Sequence, residues 1–284
     1  MLKWRIGDVT ITKIVESEEA AMDGAGLLIG ASPEAVRKID WLRPRFANDE
    51  GHINFSMHAF VVETPTKRIV VDTCVGDDKE RGIPAFDKMK TPFLKNFTEA
   101  GFVREAIDVV VCTHLHIDHV GWNTMLVDGR WTPTFPRARF LMDEAEFEHW
   151  RTQEVDPIHR IVFSDSVAPV WDAGLVDLVR SDHQICDEVR LVPTPGHTLG
   201  HVSVHVVSKG EEALITGDMV HHPCQLAHPE WGTAFDYDQA QGERTRRDVF
   251  ARIADRPVLL LGTHFYTPTG GRVVRDGEVF RLVT

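Results

Sequence analysis

A chain of 284 residues with 43% hydrophobic content can build a substantial core, and no apolar run approaches the ~18 residues a membrane helix needs. Lysine plus arginine number 31 against 43 for aspartate plus glutamate, a formal net charge of -12 that repels a polyanion. No dense basic cluster with interleaved aromatics offsets that field, so nucleic-acid and membrane partners are excluded.

The opening Met1 to Asp8 lacks the apolar stretch of a secretory leader, which places the protein in the cytoplasm as an expectation. No Ser/Gly-rich linker divides the chain, and one domain over 1–284 is expected; a homodimer is left open. Val9, Ile11 and Ile14-Val15 predict a first strand, and Phe55 to Val62 and Arg68 to Asp72 predict two more around the Pro65 turn, forming a meander. Thr91-Pro92 ahead of Phe93-Leu94 reads as an N-cap with proline at the first helical position, and Gly101 as the stop. Asp143-Glu144-Ala145-Glu146 reads as a capping box opening a helix through Trp150. Asp128-Gly129 and Asp276-Gly277 predict hairpin turns. Arg244 to Arg247 reads as the solvated first turns of a helix running on through Ile253. Cys74, Cys112, Cys186 and Cys224 show no Cys-x-x-Cys pairing and are expected as free thiols, with Cys74 close enough to the ligand loops to be noted.

The chemistry is concentrated in Thr113-His114-Leu115-His116-Ile117-Asp118-His119, directly after the apolar stretch Val109 to Cys112. Imidazole and carboxylate donors suit zinc or a similar first-row divalent ion. His114 and His116, two apart, point the same way on an extended segment, while Asp118 and His119 lie beyond a bend, so the spacing suggests two ions side by side. The remaining donors are expected beyond other strand ends, where chains leave an open α/β sheet. Arg190 to Pro193 leads to His197, Ala213 to Thr216 leads to Asp218, and Val258 to Leu261 leads to His264. Ile69 to Val71 ends at Asp72, a carboxylate placed to accept from the free ring nitrogen of a ligating histidine.

His114-x-His116-x-Asp118-His119, Gly196-His197, Gly217-Asp218 and Gly262-Thr263-His264 together resemble the metallo-β-lactamase superfamily in order and separation. The resemblance implies an α/β fold, a four-layered αβ/βα sandwich with metals at one edge. It implies that His114, His116 and His197 hold a first ion, that Asp118, His119 and His264 hold a second, and that Asp218 bridges them. The cofactor would be two divalent ions, zinc first, with manganese, iron or cobalt able to take the same donors. A hydroxide shared by two cations exists near neutral pH, so the implied reaction is hydrolysis without a separate general base.

Departures from the better-known branches narrow the substrate. The β-lactamases proper lack an aspartate at the place of Asp218, and the thioesterases of glyoxalase II type carry a C-terminal helical extension where this chain reads as a hairpin. The acyl-homoserine lactonases share all seven donors but place a tyrosine three positions after the bridging aspartate. Here that position is His221, in a stretch that resembles the methyl parathion hydrolases equally well. The reading is a lactonase-like or arylesterase-like hydrolase of small, uncharged, fairly apolar substrates, with phosphotriester cleavage as the alternative; thioester hydrolysis and a non-catalytic metal-binding scaffold are minor options. Asp118, Asp218 and His221 are the candidate catalytic residues, His221 as a donor to the developing oxyanion. Met57, Ile83, Phe86, Met89, Trp122 and Phe265 flank the donor segments and are candidates for an apolar wall.

Overall fold

A computed structural model describes residues 1–152 and 157–284. Sixteen strands lie among the described residues: β1 (Lys3–Ile6), β2 (Val9–Met22), β3 (Ile53–Glu63), β4 (Arg68–Val71), β5 (Val109–Val111), β6 (Thr124–Val127), β7 (Arg130–Pro133), β8 (Arg139–Asp143), β9 (Val176–Val179), β10 (Gln184–Cys186), β11 (Val189–Pro193), β12 (Val202–Ser208), β13 (Glu211–Ile215), β14 (Val258–Leu261), β15 (Gly270–Asp276) and β16 (Val279–Val283). One seven-stranded sheet runs β1-β2-β3-β4-β5-β8-β9, a second runs β10-β11-β12-β13-β14-β15-β16, and β6-β7 form a separate hairpin.

The alternation of side chains along the strands explains why the two sheets stack. On β5, Val109 and Val111 enter one apolar cluster and Val110 another, so this short strand is buried on both faces. The cluster between the sheets joins Val9, Phe60, Val71 and Val111 of the first to Leu191, Val204, Ile215 and Leu261 of the second. Outside the first sheet, α2 (Phe93–Glu99) and α3 (Glu144–Thr152) contribute Phe93, Phe97 and Phe147 against Val61, Val110 and Phe140. Outside the second, α7 (Gln239–Ile253) contributes Val249, Phe250 and Ile253 against Leu214, Leu260 and Val273; the remaining helices are α1 (Pro33–Arg37), α4 (Pro157–Val162), α5 (Ala168–Asp172) and α6 (Cys224–Ala227). Full burial of one such Val, Leu or Phe is worth roughly 1.5–3 kcal/mol, so these three clusters dominate the stability. The layers are helix, sheet, sheet, helix, the αβ/βα sandwich expected. No helix among the described residues is long and apolar enough to cross a membrane.

The expected meander is β2, β3 and β4, antiparallel in that order. β2 runs farther than its apolar residues suggest, because a register shift between Val15 and Ser17 turns Glu16 inward. There Glu16 accepts from the backbone of Val75 (2.8 Å) and Gly76 (3.0 Å) and from the Trp122 indole (2.7 Å). Pro92 is the cap residue of α2 rather than its first helical residue, and the Thr91 hydroxyl donates to Asp77 instead of capping. Only half of the capping box forms: Asp143 accepts from the N–H groups of Ala145 and Glu146, but Glu146 points away from the helix start. Both residues of the Asp128-Gly129 turn have positive φ, as a type I′ hairpin requires. Asp276 pairs with Val279, so the closing loop is Gly277-Glu278. The basic run lies within α7 and is not uniformly solvated: Arg246 is 1% exposed and its Nε donates to the Pro229 carbonyl.

Candidate metal centre

Each donor segment leaves its sheet at a carboxyl end. β4, β5 and β8 run parallel, as do β13 and β14, and β11 shares the direction of β13 through two antiparallel steps across β12. Their ends therefore open on the same edge, and the side chains beyond them converge.

Four overlapping triads of donors form there among the described residues, and those of His114, His119 and Asp218 and of His197, Asp218 and His221 link the two that the sequence predicts. His114, His116 and His197 place ligand atoms within 4.8 Å of one another, as do Asp118, His119 and His264. Asp218 lies between them, its Oδ2 at 3.5 Å from His197 Nε2, 3.7 Å from His114 Nε2 and 3.1 Å from His119 Nε2, and its Oδ1 at 3.1 Å from His264 Nε2. Within the triads, ring nitrogens point at each other: His116 Nδ1 meets His197 Nε2 at 2.9 Å, and His264 Nε2 meets His119 Nε2 at 3.2 Å. His114 Nε2 is buried without a hydrogen-bond partner. Lone-pair donors facing one another, with one orphaned, are what a cation site presents.

On His114, His119, His197 and His264 the opposite ring nitrogen is engaged, which holds the other nitrogen inward. His119 Nδ1 is 2.9 Å from Asp72 Oδ2, so Asp72 occupies the position expected of it. Asp72 also accepts from the Thr113 N–H and hydroxyl, anchoring the start of the loop. His197 Nδ1 is 2.8 Å from Asp236 Oδ1, and His264 Nδ1 is 3.1 Å from the Ser56 carbonyl. Burial raises the Asp236 carboxyl, but its bond to His197 overrides that and holds it down at about 2. Burial likewise opposes charge on His119 and His264, yet Asp218 and Asp118 hold both imidazoles above their ordinary range. Cys74 is buried and its thiol is pushed well up, first by burial and then by Glu16 and Asp72, which leaves it a protonated packing residue.

Three supports lay beyond the sequence reading. Asp236 has no local signal, since its partner is 39 residues away. His201 accepts the Asp218 N–H at Nε2 (2.8 Å), with burial pushing its own imidazole down to about 3. Glu146 accepts from Leu115 N (3.1 Å), Gly200 N (2.9 Å) and Trp150 Nε1 (2.6 Å), tying the loop of His116 to the loop of His197.

The sequence profile of the metallo-beta-lactamase superfamily matches residues 55–264. The chain belongs to this superfamily. Membership makes it a hydrolase, and its histidine and aspartate clusters suit divalent cations. An N-acyl homoserine lactonase from a Bacillus species is 21% identical over 235 residues, covering 78% of this chain and 86% of that protein. Among solved structures, AidC, a dizinc quorum-quenching lactonase in complex with a product, superposes with a TM-score of 0.82 at 18% identity, covering 99% of this chain and 96% of that one. AbOPH, a hydrolase in the beta lactamase superfamily, gives 0.79 at 22% identity over 99% and 96%. At these identities the likeness is one of fold.

Around the superfamily site, the candidate wall residues divide. Met57, Phe86 and Met89 gather with Phe55 and Val75, and Phe55 stacks on the His264 ring at 4.5 Å. Trp122 and Phe265 are core residues, and Ile83 joins none of the apolar clusters. On the other side, His149, Trp150, Thr198, Leu199, Phe235 and Tyr237 line a cleft of about 80 Å³ with His116 and His197. Phe235 is 64% exposed, Tyr237 59% and Leu199 42%, an apolar rim at the mouth. His221 is buried, its Nε2 3.1 Å from Asp218 Oδ2 and its Nδ1 without a partner.

Proposed function

We propose that residues 1–284 form one dinuclear, metal-dependent hydrolase domain that opens small lactones or cleaves esters with an apolar substituent. The observation that carries this reading is the pair of donor triads sharing Asp218 beneath an apolar mouth. His114, His116 and His197 would hold one cation, Asp118, His119 and His264 the other, and Asp218 both, most readily as zinc. When bound, the ions supply Lewis acidity and activate solvent at neutral pH. The protein's part is to keep the two triads in register and to seat the substrate. Asp118 is the carboxylate nearest solvent, its side chain 15% exposed against 4% for Asp218, which suits it to take the proton released by the attacking solvent and pass it to the leaving alkoxide. His221, whose Nε2 faces the cluster 3.1 Å from Asp218 Oδ2, is the candidate donor to the developing oxyanion. No lysine or arginine lines the cleft among the described residues, which favours an uncharged substrate.

The lactonase named among the relatives supports an acyl-homoserine lactone as the first substrate to try. His221, where the lactonases carry tyrosine, favours phosphotriester cleavage as the second reading. Zinc-restored protein should be compared by kcat/KM on an acyl-homoserine lactone, p-nitrophenyl acetate and a phosphotriester. Preference for the phosphotriester would replace the first reading with the second, and inertness toward all three would end both. His221→Ala should lower kcat on the best substrate by about 10²–10³, the usual loss for one oxyanion donor; an unchanged kcat would remove His221 from catalysis.

A further inference from the structure

The outer face of the second sheet is only partly covered. α7 packs on β13, β14 and β15, and the neighbouring outer faces of β11 and β12 are left beside it as a groove. Its cavity is about 360 Å³, within the ~300–1,000 Å³ typical of small-molecule sites. Val192, Val207, Leu214, Val249, Ile253 and Val258 supply apolar lining, and Val207 is 38% exposed within the sheet. Arg190, Arg252 and Arg256 stand around it with His205 and Glu212.

The charges on this rim are unequal. Glu212, the one carboxylate of the lining, is already engaged by His205 Nε2 (3.1 Å) and Arg256 (3.4 Å). Arg190 donates only from Nε, to His205 Nδ1 at 3.3 Å. Neither Arg190 nor Arg252 has a carboxylate within ion-pair distance among the described residues. On a chain of net charge -12, two arginines left without acidic partners above an apolar floor are complementary to a ligand with an anionic head and an alkyl body.

We propose that this groove binds a medium-chain monocarboxylate, its alkyl chain against Val207, Leu214 and Val249 and its carboxylate between Arg190 and Arg252. The site is separate from the metal cluster but not remote from it. Thr194 is among the residues lining the groove, its hydroxyl and carbonyl lie 2.9 and 3.0 Å from His201 Nδ1, and His201 accepts the Asp218 N–H. A test must therefore separate the two places.

Octanoate titrated calorimetrically into the full chain should bind saturably, with Kd on the order of 1 mM or tighter. The exposed double substitution Arg190→Glu with Arg252→Glu should weaken it at least about tenfold, as loss of charge-assisted bonds does. Val207→Trp, which fills the groove without touching its charges, should weaken it comparably. His116→Ala should leave it within about twofold, a margin far below the loss of one charge-assisted bond. Unchanged affinity in the charge-reversed protein, or loss in His116→Ala alone, would overturn the assignment. So would octanol binding as tightly as octanoate, since the arginines would then play no part. Sedimentation with phosphatidylglycerol vesicles that octanoate does not compete away would replace it with a lipid surface.

Discussion

Glu146→Gln and Glu146→Ala test whether one carboxylate couples the two halves of the first triad. Glu146 is 1% exposed and accepts from Leu115 N, Gly200 N and the Trp150 indole. Leu115 adjoins His116, Gly200 lies three residues past His197, and the two imidazoles face each other at 2.9 Å. Alanine would orphan two buried main-chain donors at about 1–3 kcal/mol each, or about 2–6 kcal/mol together. Glutamine keeps one carbonyl oxygen, so it should cost about half of that. If the carboxylate also sets the spacing of His116 and His197, zinc affinity should fall about 10–100-fold, the range for removing a group that orients ligands. Urea unfolding of metal-free protein gives the first quantity, and zinc competition against a chelator gives the second. Wild-type values for Glu146→Gln in both assays would refute the argument. A stability loss with unchanged zinc affinity would show that Glu146 braces the fold without positioning the histidines.

Three further outcomes follow from the same geometry. Zinc at a hundred times its Kd should add ~2.7 kcal/mol to unfolding free energy, read as a higher urea midpoint; coincident midpoints with and without zinc would contradict a cation site. Gly196→Ala should cost more than about 3 kcal/mol, because the residue sits at φ +134 and a Cβ would lie 2.3 Å from the Gly242 nitrogen; a loss below about 1 kcal/mol in urea would show that the loop relaxes freely. Burial lifts the Glu16 carboxyl from 4.5 to about 7, so between those values the unfolded chain has released a proton that the folded chain retains. Stability should therefore fall by about 3 kcal/mol as pH rises from 4.5 to 7 and then level, and Glu16→Gln should flatten that slope; parallel pH profiles for the two proteins would exclude Glu16 as its source.

The strands that carry the donors were legible because each is a short apolar run closed by a breaker and a polar residue, as in Val258 to Leu261 before Gly262-Thr263-His264. Asp72 could be anticipated for the same reason. Trp122 and Phe265 were misplaced as wall candidates because proximity in sequence to a donor says nothing about which face of the chain a side chain takes. Trp122 stacks on Phe93 at 5.5 Å and Phe265 packs on Phe46 at 6.2 Å, both away from the mouth. Glu146 fits the capping-box pattern, but its carboxylate found two stronger calls on it from loops 31 and 54 residues away.

Local pattern thus determined the kind of chemistry, since donor type and spacing depend on neighbours along the chain, and it determined the alternation of faces that makes two sheets stack. Which donors share an atom's distance, which carboxylates lock the rings, and where the mouth opens depended on long-range convergence. Asp236 reaches His197, Ser56 reaches His264 and Glu146 spans two loops only after the sheets close. Those pairings are decided by packing over tens to hundreds of residues, a scale at which no sequence period carries a signal.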